Sequence, residues 1–232
     1  MNLSFRQGML DGVPIALGYL TVSFGFGLLA VQLGLPAWSA VFTSLTNVTS
    51  AGQTAGVKII AAGGGILELI LTQLVINIRY ALMSLSLSQK LDGSFTLSRR
   101  ILLAFGVTDE IYGVAMSRRG PINARYMAGL IVVPVIGWVG GTLVGAIAGQ
   151  ALPAIVTGAM GIVLYAMFLA IILPPARQSR PVLFAVALAA GFSTAFTYLL
   201  PMVSGGFAVI ISALAASLIA AWVFPIDLRG NT

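Results

Sequence analysis

The sequence predicts an all-α polytopic membrane protein, and three observations carry that prediction. The mean hydropathy is +1.03. Charged residues make up only 8% of the 232 residues, whereas a soluble domain carries roughly 25%. Apolar runs recur at about 20 residues, the length that a helix needs to cross a bilayer. The stretches between the runs are short, so we expect one transmembrane domain over residues 1–232.

Eight apolar runs follow one another along the chain, at residues 7–32, 38–60, 65–87, 101–116, 127–148, 155–173, 182–200 and 203–224. If all eight crossed with Arg6 inside, Lys90 and Arg99 would lie outside, against the positive-inside rule. If runs 38–60 and 101–116 instead dip in and return, ten of the twelve basic residues lie on the cytoplasmic side. We therefore favour about six full crossings plus two broken or re-entrant segments, with a cytoplasmic N-terminus. Eight conventional crossings are the alternative.

The two dipping runs also predict an internal symmetry. Both have poor apolar continuity, and irregular backbone at membrane depth is allowed only inside protein or along a cavity. Residues 38–88 would enter from outside and residues 101–148 from inside, so the two units would form an inverted repeat, as in many secondary transporters. The sequence echo is short, VTS at residues 48–50 against VTD at residues 107–109.

Composition excludes several function classes. The chain has no cysteine and no histidine, which removes disulfides, thiol catalysis and the commonest metal ligand. We therefore expect no metal, no cofactor and no enzymatic activity; an intramembrane enzyme would depend on its few carboxylates alone. The net charge of +6 follows from basic residues at the ends of apolar runs and does not indicate nucleic-acid binding. The N-terminus lacks a small-residue cleavage site, so we expect it to be retained.

Five charged residues interrupt apolar stretches: Lys58, Glu68, Arg79, Asp109 and Glu110. A charge at bilayer depth costs at least about 2.5–3.5 kcal/mol, so it is tolerated mainly beside protein or water. Glu68 and Arg79 are eleven residues apart, about 16 Å along a helix, and need different partners. We expect Lys58 to pair with Glu68, and Asp109 or Glu110 to pair with Arg79. These charges indicate a polar route, or else structural ion pairs.

Each dipping run contains a candidate helix start. Unwinding at residues 50–52 would begin a half-helix whose N–H groups suit a carboxylate; a continuous helix is the alternative. Thr108 followed by Asp109 and Glu110 is good helix-start chemistry, and two adjacent carboxylates at low dielectric also suit a proton relay.

Two further helices have distinctive faces. The run 65–87 is polar on two opposite sides, so we expect protein to enclose it. Glycines at 137, 141, 145 and 149 give one helix a smooth face for close packing, within the chain or against a partner.

Four stretches resemble the AzlC-type branched-chain amino-acid permeases: DGVPIALGY (residues 11–19), SAGQ (50–53), NIRYALMSLSL (77–87) and TDE (108–110). The sequence departs from the family pattern where Tyr80 replaces the usual histidine, and where the motif ending in Gln53 is permuted. The resemblance implies export of branched-chain or other apolar amino acids from a bacterial inner membrane. It also implies a small AzlD-type membrane subunit as partner.

The residues that we expect to bind the substrate are Asn47, Ser50, Gly52, Gln53, Asn77, Arg79 and Tyr80. Asp109 or Glu110 would hold the ammonium or carry the coupling proton, with Glu68 as the reserve candidate. A scaffold subunit with purely structural charges, or a channel, is the alternative function.

Overall fold

The computed structural model describes residues 3–151, 169 and 172–225, and their regular structure is helical. This confirms the all-α prediction for the described residues. The named helices are α1 Phe5–Gln32, α2 Ala37–Thr46, α3 Ser50–Ala61, α4 Ile66–Ser88, α5 Leu97–Ala104, α6 Asp109–Ser117, α7 Ala124–Ala151, α8 Arg180–Leu199 and α9 Gly205–Val223. Residues 172–178 are helical as well.

Five of these helices, α1, α4, α7, α8 and α9, are long and apolar enough to cross a membrane. The expected crossing at residues 155–173 lies almost wholly outside the described residues. The runs 38–60 and 101–116 each form two short helices rather than one long one. The number of complete crossings therefore remains a prediction.

Helices α1 and α7 pack against each other along their whole length through glycines. An added Cβ at Gly129 of α7 would meet the Phe5 backbone, and one at Gly145 would meet the Phe24 backbone. Because the contact positions rise together along both helices, α1 and α7 run parallel. The glycine face of α7 thus packs within the chain, the first of the two expected uses, and the backbones approach closely.

Helices α2 and α3 form a hairpin that turns halfway along α1. Phe26 near the end of α1 shares a cluster with Ala40 of α2 and Val57 of α3, so both arms reach the same end of the bundle. The break between the arms, in contrast, places Val48 against Tyr19, which lies in the middle of α1.

Helices α5 and α6 form a second hairpin that starts from the opposite end. Before α5, Ser94 Oγ accepts a hydrogen bond from the amide of Ala124 at the start of α7 (2.9 Å). After α6, Arg118 Nε donates to the Tyr126 hydroxyl in the same turn of α7 (3.2 Å). Both arms of this hairpin therefore reach the end of the bundle where α1 and α7 begin.

The expectation that protein encloses α4 is wrong. Its apolar stripe is open, with Ile66 77%, Ile78 61% and Leu82 68% exposed. The polar residues of α4 lie on other faces, where they bond to α3, α6 and α9. Between the two polar stripes lies a third, apolar face. The expectation considered only the two polar sides and did not account for this face.

Candidate functional site

Thr49 stabilises the break between α2 and α3 as the N-cap of α3. Asn47 and Thr49 are extended, with φ near −146° and −145°. Thr49 Oγ1 accepts a hydrogen bond from Gly52 N (3.3 Å) and donates one to Asn77 Oδ1 (3.0 Å). The helix starts at Ser50, so the unwinding expected at residues 50–52 lies three residues earlier. The reason is the cap: a threonine N-cap reaches only the amide two or three residues into the helix.

Two side-chain amides of α4 connect it to the start of α3 by hydrogen bonds. Gln73 Nε2 donates to the carbonyl of Gly52 (2.8 Å), and Asn77 Nδ2 donates to Gln73 Oε1 (3.0 Å). Together with the Thr49 contact, these bonds make a continuous polar path from the break to α4. These hydrogen bonds stabilise the break relative to a continuous helix.

The break between α5 and α6 is also stabilised by a threonine N-cap. Thr108 caps α6, and its Oγ1 accepts from Ile111 N (3.4 Å). The Tyr19 hydroxyl lies 2.5 Å from Thr108 Oγ1 and donates to Glu110 Oε2 at 2.5 Å. Thr49 and Thr108 thus occupy the same position, each capping the second arm of a hairpin, and Tyr19 contacts both breaks.

Arg79 and Asp109 join α4 to the second hairpin by an ion pair of 2.7 Å, in which the side chains are 50% and 43% exposed. The Arg79 guanidinium also lies 5.0 Å from the centre of the Tyr80 ring. Asp109 is one of the two partners that the sequence offered for Arg79. Within α4, Arg79 is the 14th of 23 residues, well away from either end.

A cavity of about 180 Å³ lies where the two breaks meet. It is lined by both breaks and by one face of α4: Thr46, Asn47, Val48, Thr49, Asn77, Tyr80, Ala104, Phe105 and Val107. The polar groups come from the first break and from α4. The second hairpin contributes apolar walls.

This arrangement can accommodate a small zwitterion. At the first break the C-terminal end of α2 meets the N-terminal end of α3, so a partial negative charge and a partial positive charge lie side by side. Transporters bind substrates at such interrupted helices near the midplane. The apolar walls would suit an aliphatic side chain, since small-molecule sites combine apolar lining with a few polar groups.

Gln53 lies in a second network, on the α7 side of the first hairpin. It is 1% exposed, and its Oε1 accepts from Ser44 Oγ and Trp138 Nε1, each at 3.3 Å. Its Nε2 has no partner among the described residues. Ser44 also lies 2.7 Å from Thr142 Oγ1, which ties the hairpin to α7.

Glu68 lies apart from the cavity, at the start of α9. Its Oε1 accepts from Ser204 Oγ (2.6 Å) and from Gly206 N (2.9 Å), and the residue is 7% exposed. A buried carboxylate that caps a helix start complements the helix dipole. Its expected pairing with Lys58 stays a prediction.

The structure thus separates the predicted site residues into three groups. Asn47, Asn77 and Tyr80 line the cavity, and the first turn of α3 adjoins it with Ser50 and Gly52.

The remaining predicted residues lie around or away from it. Arg79, Asp109 and Glu110 lie beside the second break, whereas Gln53 and Glu68 belong to other contacts. The described residues contain no group of acidic side chains that could hold a metal ion.

The sequence did not point to six of the residues that line the cavity, Thr46, Val48, Thr49, Ala104, Phe105 and Val107, nor to Tyr19 and Trp138 beside the breaks. Two signals were available. The echo of VTS and VTD aligns the two capping threonines, and Tyr19 ends the first motif of the family resemblance. Nothing in the sequence singled out Trp138, whose role depends on which face of α7 meets the first hairpin.

The family model described as AzlC protein matches residues 14–152, from the first turns of α1 to the end of α7. The chain belongs to the AzlC family. It is 29% identical to the inner membrane protein YgaZ of Escherichia coli K12, over 87% of this chain and 85% of that protein. It is 32% identical to a membrane protein of Archaeoglobus fulgidus, described as uncharacterized, over 94% of each chain. No solved structure matches it.

Proposed function

We propose that this AzlC-family membrane protein is a proton-coupled secondary transporter. It exports branched-chain or other apolar amino acids across the inner membrane, together with a small AzlD-type membrane subunit. The observation that carries the proposal is the cavity where two helix breaks meet halfway along α1. The family supports transport, and the chemistry of the cavity lining supports an apolar amino acid.

The proposed topology follows from the two hairpins. Helices α2 and α3 enter from one side, α5 and α6 enter from the other, and neither pair crosses completely. With α4 and α7 these hairpins would form the inverted repeat over residues 38–88 and 101–148. The six crossings would then be α1, α4, α7, the run 155–173, α8 and α9, with the N-terminus in the cytoplasm.

The substrate would lie with its two charged ends at the first break. Amide groups in the first turn of α3, at Ser50 and Gly52, would attract the carboxylate, because the positive end of the helix dipole lies there. Carbonyl groups at the end of α2 and the side chain of Asn77 would accept from the ammonium. The aliphatic side chain would then lie against Phe105.

Proton coupling would act through the ion pair beside the cavity. Protonating Asp109 would remove the partner of Arg79, and a charge left alone at this depth has to find another partner. Glu110 is the next carboxylate along α6, and it already accepts a hydrogen bond from Tyr19. If Arg79 paired with Glu110 instead, the hydrogen bond from Tyr19 to Glu110 would change, and Tyr19 contacts both breaks. Glu68 is the reserve site for the proton.

The test is efflux of preloaded radiolabelled leucine, valine and methionine from cells that express the chain with and without the small subunit. We expect saturable export that an uncoupler abolishes and that Asp109→Asn removes. Export that survives Asp109→Asn and is lost in Glu68→Gln would move the coupling site to Glu68. Export that does not saturate and ignores uncouplers would indicate a channel. No export of any of the three, with or without the subunit, would contradict the proposal.

A further inference from the structure

A second and larger cavity, of about 1070 Å³, lies at the end of the bundle where α1 and α7 begin. We name it the arginine cavity, because three of its lining residues are Arg6, Arg99 and Arg125. The others are Leu3, Ser4, Phe5, Ser94, Leu102, Leu103, Asn123, Ala124 and Ala128. It shares no lining residue with the cavity between the breaks, and neither the family resemblance nor the proposed transport uses it.

The arginine cavity combines positive charge with an apolar wall. None of its lining residues is acidic. Among the described residues the ion pairs are Arg79–Asp109 and Arg118–Asp11, so the three arginines enter neither. Arg99 donates to the backbone carbonyl of Ser94 (2.6 Å), which fixes its position without neutralising it.

Helix α5 forms one wall of this cavity, and its first turns carry exposed apolar and arginine side chains. None of its residues is buried. Leu97, Ile101 and Leu102 are 75%, 65% and 73% exposed, and Arg99 and Arg100 lie between them in the sequence. Exposed apolar side chains together with arginines suit the boundary between headgroups and acyl chains, where α5 starts.

We propose that the arginine cavity binds the headgroup of an anionic glycerophospholipid from the cytoplasmic leaflet. Arginine matches phosphate oxygens with paired N–H donors, and basic pockets between helices at the cytoplasmic side bind anionic lipid headgroups. The apolar residues Phe5 and Leu102, 42% and 73% exposed, offer contact for the upper acyl chain. A soluble anion would leave these side chains uncovered, and the cavity far exceeds the volume of a phosphate.

The experiment is native mass spectrometry of the delipidated, full-length protein, titrated with phosphatidylglycerol, phosphatidylcholine or inorganic phosphate. The test variant is Arg6→Gln/Arg99→Gln/Arg125→Gln. The matched control is Arg119→Gln/Arg177→Gln/Arg180→Gln, which loses the same charge from exposed arginines that do not line the cavity. A third protein, Arg6→Lys/Arg99→Lys/Arg125→Lys, keeps the charge but loses the paired N–H geometry.

We expect one phosphatidylglycerol to bind the wild type and the control, and the test variant to bind it on the order of 100-fold more weakly. The lysine variant should lie between them. If the test variant fails to fold, Arg125→Gln alone should still weaken binding about fivefold relative to Arg119→Gln.

Three results would overturn the proposal. Equal weakening in the test and control variants would mean unspecific attraction to charge. Competition by inorganic phosphate at similar concentration would mean a soluble-anion site. Loss of lipid binding when the small subunit is added, with assembly dependent on the same three arginines, would mean that the cavity docks that subunit.

Discussion

The ion pair between Arg79 and Asp109 should make a measurable coupling contribution to stability, because each partner is expensive to leave alone. We consider a double-mutant cycle of Arg79→Gln, Asp109→Asn and the two together. At the observed 2.7 Å the gross attraction is about 1.5 kcal/mol in a water-like dielectric and about 6 kcal/mol at an effective dielectric of 20. Because about half of each side chain is exposed (50% and 43%), solvent screening favours the lower part of that range.

We therefore expect a coupling free energy of about 1–3 kcal/mol. Asp109→Asn alone should cost about 2–3 kcal/mol, because it leaves the Arg79 charge unpaired at membrane depth. Removing both charges should cost less than the sum of the single changes. The assay is equilibrium unfolding in mixed detergent micelles, with circular dichroism as the signal.

A control cycle pairs Arg79→Gln with Asp92→Asn. Asp92 accepts from Ser94 in the loop after α4 and makes no contact with Arg79. Those two changes should add within about 0.5 kcal/mol. If the Arg79–Asp109 cycle were equally additive, the pair would contribute nothing, and the coupling mechanism built on its release would be refuted.

Three further changes test the packing around the site. Gly141→Ala should destabilise the protein by about 1–3 kcal/mol, since an added Cβ would meet the Leu20 backbone, while Gly140→Ala, with open space beside it, should not; thermal unfolding compares the two. Thr49→Val should cost about 0.5–2 kcal/mol by removing the cap of α3, and hydrogen exchange should show faster exchange at Gly52 but unchanged exchange in α9. Glu68→Ala should loosen the start of α9 whereas Glu68→Gln, which keeps an acceptor for Ser204 and Gly206, should largely preserve it; equal hydrogen exchange at Gly206 in both variants would count against the capping role.

The sequence predicted the helical class and both interruptions, and it narrowed the partner of Arg79 to Asp109 or Glu110, because each leaves a local signal. Apolar runs have a length set by the bilayer, and a threonine followed by two acidic residues, as at Thr108, is favourable at a helix start. Arg79 in an apolar run requires an opposite charge, and the chain has only six acidic residues to supply it.

The rest depended on which faces meet, which a single sequence does not encode locally. Gln53 has the same residue type whether it faces a substrate or Trp138, and only the packing of the first hairpin on α7 decides it. The hydrogen-bond partners of Glu68 are Ser204 and Gly206, which lie more than 130 residues away in the sequence. The exposure of the apolar face of α4 was not predicted for a similar reason. The spacing of apolar residues indicates that a helix has such a face, but not what covers it.

The most direct test of the central claim, that the cavity between the two breaks binds the substrate, is leucine counterflow into proteoliposomes containing the protein and the small subunit. The variants are Asn77→Ala and Phe105→Ala, with Gln89→Ala at the end of α4 as control. We predict that both cavity variants remain folded and raise the half-saturating leucine concentration about tenfold or more, and that the control matches the wild type. Unchanged leucine counterflow in folded Asn77→Ala and Phe105→Ala proteins would contradict the account.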